Sequence, residues 1–199
     1  MALRAVLFDF GGVIVRTEYQ APREHLAERL NMTYEDLSKI VFESETSRLA
    51  SIGKMTTEAH WAAVARRLSR PASDVGSLRT EFFGGDVLDR DLVDYIRSLR
   101  PRCKTGLLSN AWPDTREYLI QNHLDDAFDA VVISAEVGIM KPERGIFELA
   151  LQKLDVSGPE AAFVDDTGMN VEAARQLGMH GILFRNRRQV QSELEVLLP

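Results

Sequence analysis

Residues 4–12 read RAVLFDFGG. The run from Ala5 to Phe8 is apolar without polar alternation, the pattern of a strand covered by helices on both faces, and it stops at Asp9 before a pair of glycines. Four more segments share this character: 103–108 (CKTGLL), 130–133 (AVVI), 161–164 (AAFV) and 180–184 (HGILF). Helical stripes lie between them. Leu92, Tyr95, Ile96 and Leu99 form one, and Ile146, Phe147, Ala150, Leu151 and Leu154 form another. A third helix is expected from Thr167 to Leu177, with Gly178 at a left-handed C-terminal cap. Pro113 and Pro142 suit first-turn positions of helices. The alternation predicts an α/β fold around a parallel sheet.

Between 17 and 85 the pattern changes. No strand is predicted there, and the segment reads as several helices. Thr33 and Asp36 form a capping pair opening a helix through Phe42, and Glu58 to Leu68 carries Trp61, Val64, Ala65 and Leu68 at helical spacing. The expected organisation is a core made of 1–16 and 86–199 with an inserted helical module, 17–85. Gly11-Gly12 and Gly84-Gly85 stand near its two connections as hinge-capable residues.

The chemistry-bearing residues fall at the ends of the predicted strands, the edge where open α/β sheets place ligands. The Asp9 carboxylate could attack phosphorus if a cation offset the repulsion between two anions, with the glycines letting the backbone bend close. Ser109 and Asn110 end the second strand, where a hydroxyl can bind a phosphoryl oxygen. Lys141 precedes Pro142 and could face an anion from the start of a helix. Asp165 and Asp166 end another strand as adjacent carboxylates, an unfavourable pair unless a cation or a lysine compensates. Asn170 could support them from the next helical turn. Taken singly, Asp9 also reads as a strand-loop cap, Ser109-Asn110 as turn chemistry and Lys141-Pro142 as a surface loop.

In this order, the four elements resemble the four motifs of the haloacid dehalogenase superfamily, and the resemblance spans essentially the whole chain. It implies a Rossmann-like core with an α-helical cap, and magnesium-dependent phosphohydrolase activity on a small phosphorylated metabolite. It further implies Asp9 as nucleophile, and Ser109, Asn110 and Lys141 as substrate contacts. Magnesium would be held by Asp9, the Gly11 carbonyl and Asp166, and Asp165 would orient Lys141 or a metal-bound water. The phrases FDFGGVIV, LLSNAW and MKPERGIF resemble the branch that includes sugar-1-phosphate phosphatases and the phosphatase domain of soluble epoxide hydrolases. One position departs from the usual pattern. Most family phosphatases have a general-acid aspartate where this chain has Gly11, and a glycine of positive φ there would resist a side chain. Two other readings stay open: a metal-independent 2-haloacid dehalogenase, and a catalytically silent binding or regulatory protein.

Composition narrows the partners. The 199 residues are 45% hydrophobic and 27% charged, with a formal net charge of −6. That acidity argues against a duplex nucleic-acid ligand, whose phosphates need a basic surface. The run Arg185, Arg187, Arg188 reads as a solvated loop before the last helix. The lone Cys103 permits no intramolecular disulfide and reads as a small buried hydrophobe, which fits a reducing, cytoplasmic setting. The histidines at 25, 60, 123 and 180 show no ligand spacing. The apolar run before Asp9 is too short for a secretory or membrane segment, so a soluble, unprocessed protein without a membrane partner is expected. Glu18, Tyr19, Arg48, Trp61 and Trp112 are candidate substrate contacts, Trp61 being read first as a core aromatic.

Overall fold

The structure, a computed structural model, describes residues 2–198. Five parallel strands form the central sheet: β1 (Ala5–Phe8), β4 (Lys104–Ser109), β5 (Ala130–Ile133), β6 (Ala161–Asp165) and β7 (His180–Leu183), in the order β5-β4-β1-β6-β7. Apolar side chains alternate between two buried layers. Val6 and Phe8 of β1 pack with Leu92, Ile96, Leu99 and Leu119 on one face, and Ala5 and Leu7 pack with Ile146, Phe147, Ala150 and Leu154 on the other. Two-sided burial is why these strands lack polar alternation. The layers come from α6 (Arg90–Leu99), α7 (Thr115–Gln121), α8 (Ser134–Val137), α9 (Arg144–Leu154), α10 (Gly168–Gln176) and α11 (Arg187–Leu197). Gly178 follows α10 with φ +80°, as its position in the sequence predicts.

The insert contains α1 (Ala21–Arg29), α2 (Tyr34–Phe42), α3 (Glu45–Ser51), α4 (Thr57–Arg67) and α5 (Val75–Phe82). Thr33 caps α2 by accepting from the Asp36 amide at 3.1 Å. Leu26, Leu37, Val41, Trp61, Val64, Leu78 and Phe82 form a core of its own. A feature absent from the sequence reading brackets these helices: β2 (Val15–Thr17) pairs antiparallel with β3 (Asp86–Leu88). Each strand has only three residues and both are partly exposed, so neither carries the apolar run that marks a buried strand. Gly85 has a packing role there. It sits where an added Cβ would lie 1.8 Å from the Tyr19 carbonyl oxygen, so glycine is needed for close approach.

Two further expectations need correction. Pro113 precedes Asp114, the N-cap of α7, and Pro142 precedes Glu143, the N-cap of α9. Both prolines therefore lie outside the first helical turn. No helix among the described residues is long and apolar enough to cross a membrane.

The loop after β4 joins the core to the cap. Trp112 stacks on Phe42 at 6.0 Å between ring centroids, lies 4.6 Å from the His60 ring, and donates from Nε1 to Ser47 Oγ at 3.3 Å. Thr57 donates to Asp114 at 2.7 Å, and Arg79 pairs with the same carboxylate. Trp112→Ala should remove this wedge at a cost of roughly 3–5 kcal/mol, the range for truncating a large packed aromatic. Urea denaturation checks the loss, and hydrogen exchange should show faster opening of α2 to α4 than of the sheet. Uniform protection across the chain would contradict the anchoring role.

Candidate active site

The carboxyl ends of β1, β4 and β6 lie side by side, so Asp9, Ser109 and Asp165 are brought together by strand register alone. Lys141, from the loop between α8 and α9, lies across that edge. Its side chain is 1% exposed, and Nζ is 2.9 Å from Asp9 Oδ1 and 2.7 Å from Asp165 Oδ2. The ammonium also lies over the Phe163 ring at 5.3 Å.

Two amides fix this arrangement. Asn110 donates from Nδ2 to the Lys141 carbonyl at 2.8 Å and accepts from the Lys141 amide at 2.7 Å. Both ends of the Asn110 side-chain amide thus hold the lysine backbone in place, a role that the sequence did not reveal, beside the substrate contact expected at this residue. Asn170 donates to both oxygens of Asp165 at 3.1 Å, and the Thr167 amide donates to Oδ1 at 2.8 Å. Each Asp165 oxygen thus has two donors and the residue is fully buried. Asp166 is the opposite case. It is exposed and, apart from its own amide, accepts only a long 3.4 Å bond from Thr167 Oγ1, leaving lone pairs available.

Asp9, Asp165 and Asp166 each offer a carboxylate oxygen within 4.8 Å of the others. Three carboxylates share one ammonium, so the cluster carries two negative charges in excess. Burial pushes the Asp9 carboxyl up to about 6, with Lys141 lowering it and Asp165 raising it further. The Asp166 carboxyl is raised too, first by desolvation and then by Asp165. An all-oxygen donor set with excess negative charge fits a hard divalent cation such as magnesium.

The geometry also separates the two glycines. Gly11 faces open space, with nothing within 4 Å of an added Cβ, and the positive φ of +80° belongs to Gly12. Steric resistance expected at position 11 is therefore found one residue later, where a Cβ would lie 2.0 Å from Asp166 Oδ2. Sequence reasoning gave Gly12 no specific task, because adjacent glycines do not reveal which of them a distant carboxylate approaches. Of the candidate substrate contacts, Trp61 is in the cap core and Trp112 is the wedge beside it. Arg48 pairs with Glu45 on the surface of α3, Glu18 pairs with Arg16, and Tyr19 is exposed.

Residues 3–178 match the haloacid dehalogenase-like hydrolase family. The chain belongs to this family. As a haloacid dehalogenase-like hydrolase, it is 25% identical to a sesquiterpene phosphatase of Aspergillus oryzae, over 98% of this chain and 96% of that one. It is 26% identical to the bifunctional epoxide hydrolase 2 of Rattus norvegicus over 98% of its own length, and it spans 39% of the length of that relative. Among solved structures it superposes on a family member from Bacteroides thetaiotaomicron in complex with magnesium and inorganic phosphate. That match has a TM-score of 0.71 and 19% identity, over 92% of this chain and 94% of the other.

The electrostatics of the cluster predict a stability effect of opposite sign to ordinary core damage. A carboxyl whose folded pKa is raised to about 6 favours folding while protonated, and that contribution is lost as pH rises through 6. Asp9→Asn, which cannot ionise, should therefore make the metal-free protein more stable at pH 8 by about 1–3 kcal/mol. The difference should shrink towards pH 5, where the wild-type carboxyl is protonated. Denaturant melts in chelator at both pH values measure it, and a less stable variant at pH 8 would contradict the assignment.

Proposed function

We propose that the protein hydrolyses the phosphate monoester of a small phosphorylated metabolite with magnesium, through an aspartyl phosphate on Asp9. The observation that carries this reading is the charge imbalance at the sheet edge, where one lysine serves three carboxylates. A metal-independent dehalogenase would leave that imbalance without a counter-charge, and a silent binding protein would have no use for a buried carboxylate poised to attack. Relatives named as phosphatases, and a structural neighbour solved with magnesium and phosphate, support the same reading.

Asp9, Asp166 and the Gly11 carbonyl are the groups that would hold magnesium. When bound, the cation would offset repulsion between the attacking carboxylate and the phosphate. In the first step an Asp9 oxygen attacks phosphorus, forming a new P–O bond as the bond to the leaving oxygen breaks. Water then attacks the phosphorus of the acyl phosphate, releasing inorganic phosphate and restoring Asp9. Lys141 and Ser109 lie at the same edge to bind the phosphoryl oxygens, their positions set by Asn110 and by the end of β4. Asp165, with both oxygens occupied, holds the Lys141 ammonium against Asp9. A cytoplasmic location fits a chain whose single cysteine is buried, with its thiol raised to about 11 by burial.

The two neighbouring aspartates should be separable by experiment. Asp166→Ala should weaken magnesium binding more than Asp165→Ala does, because Asp166 has free lone pairs. Asp165→Ala should lower the melting temperature more, because it strands buried donors. Calorimetric titration and thermal melting read the two effects, and a reversal of both orders would overturn the assignment.

Turnover itself is tested by a panel of phosphorylated metabolites assayed with and without magnesium. Activity should require the ion and vanish in Asp9→Asn; activity independent of both would end the proposal. Residue 11 supplies no acid, so sugar-1-phosphates and aryl phosphates should be cleaved faster than primary alkyl phosphates of similar size. Gly11→Asp should fold normally, since the position is open, and should narrow that gap. A chemical step indifferent to leaving-group pKa in the wild type would mean that another group delivers the proton.

A further inference from the structure

A cavity of about 740 Å³ is lined by none of the residues assigned to catalysis. Three segments far apart in sequence build it: β2 supplies Arg16, the turn before α6 supplies Asp89, and the passage from β7 into α11 supplies Arg185, Arg187 and Arg188. The sequence offered the last three as a solvated loop. What the fold adds is a fourth arginine and a carboxylate that orders two of the four.

Asp89 is the centre of this arrangement. Its Oδ2 accepts from Arg16 Nη2 at 2.9 Å, and its Oδ1 accepts from Arg187 Nη1 at 2.9 Å while also capping α6 through the Leu92 amide. Arg16 is further held by a 2.6 Å bond to the Val13 carbonyl and by its place over the Phe184 ring. Two guanidiniums are thus fixed in advance. Arg185 and Arg188 are exposed, and neither guanidinium has an ion-pair partner among the described residues. Glu18 and Asp89 are the carboxylates lining the cavity, and Asp91 beside it pairs with Arg187 at 2.7 Å, so four guanidiniums meet three carboxylates and the excess positive charge rests on Arg185 and Arg188. Arg187 and Arg188 also occupy the first turn of α11, which has no acidic residue, although cations are disfavoured at that end of a helix. Such crowding is relieved by an anion, and guanidinium groups grip phosphate oxygens in pairs. The volume lies within the roughly 300–1,000 Å³ of small-molecule sites.

We propose that this cavity is a second ligand site, taking a small polyanion with two or more linked phosphate groups, apart from the catalytic carboxylates. It does not depend on the chemistry assigned to Asp9. Arg187, ordered through Nη1 by Asp89 and Asp91, sets the position of the phosphate chain with its other nitrogens, Arg16 holds Asp89 in place, and the unpaired Arg185 and Arg188 close on the outer charges.

Calorimetric titration of the metal-free protein in chelator, with tripolyphosphate, ATP and orthophosphate, tests it. Tripolyphosphate should bind with one site per chain and at least tenfold more tightly than orthophosphate. ATP matching tripolyphosphate supports recognition of the phosphate chain alone, and tighter ATP binding supports added contacts to the nucleoside. Arg185→Gln/Arg188→Gln should weaken tripolyphosphate at least tenfold. Asp9→Asn, and Arg66→Gln/Arg67→Gln on the cap, should each change it by less than twofold. Arg188→Glu alone provides a second reading should the double variant melt early. Absence of binding, equal losses in both double variants, or loss on Asp9→Asn would overturn the proposal.

Discussion

The ion pairing of Lys141 with Asp9 and Asp165 is the constraint around which the site is built. An ammonium buried to this degree is tolerable only with carboxylates at contact distance, and the carboxylates are tolerable only with the ammonium. Everything adjacent serves that exchange. Asn110 holds the lysine backbone, while Asn170 and the Thr167 amide saturate Asp165. Gly12 leaves room for Asp166 to approach. The remaining negative charge is of the kind that a divalent cation could offset, and the price is a buried carboxylate in a site that folding alone would not favour.

The sheet explains how so little local sequence places so much chemistry. Strand β1 is central, with β4 on one side and β6 on the other, so three strand ends converge without any loop having to reach far. Side chains at these ends inherit the rigidity of strands buried on both faces, the kind of support that a preorganised site requires. Lys141 is the exception. It arrives on a loop, and the reciprocal hydrogen bonds to Asn110 supply the order that a strand would otherwise provide.

Much of this was legible in the sequence because uninterrupted apolar runs ending in Asp9, Ser109 and Asp165 are rare outside covered parallel strands. The helices around Trp61 and Phe147 were equally plain from their spacing. What stayed hidden was held by contacts distant along the chain. The β2–β3 ribbon is too short and too exposed to leave a periodic mark. Arg23 looks like any surface arginine in an amphipathic stretch, yet it is buried against Phe82 and Asp86. The prolines at 113 and 142 have the right local chemistry for a first helical turn, but each stands before the residue that caps its helix. Asn110 sits beside Ser109 at the sheet edge, where only coordinates reveal that its side chain clamps the Lys141 backbone.

Trp112 lies three residues beyond Ser109, and its ring occupies a socket formed by Phe42, His60, Trp61 and Phe83. The carboxyl end of β4 and the interior of the cap are therefore joined by packing into one unit. A lineage adapting this scaffold to new substrates would have limited freedom on the inward faces of α2 and α4, because a change in the socket would be transmitted to the serine. Diversification would instead fall on outward positions such as Tyr19, which carry no share of that coupling.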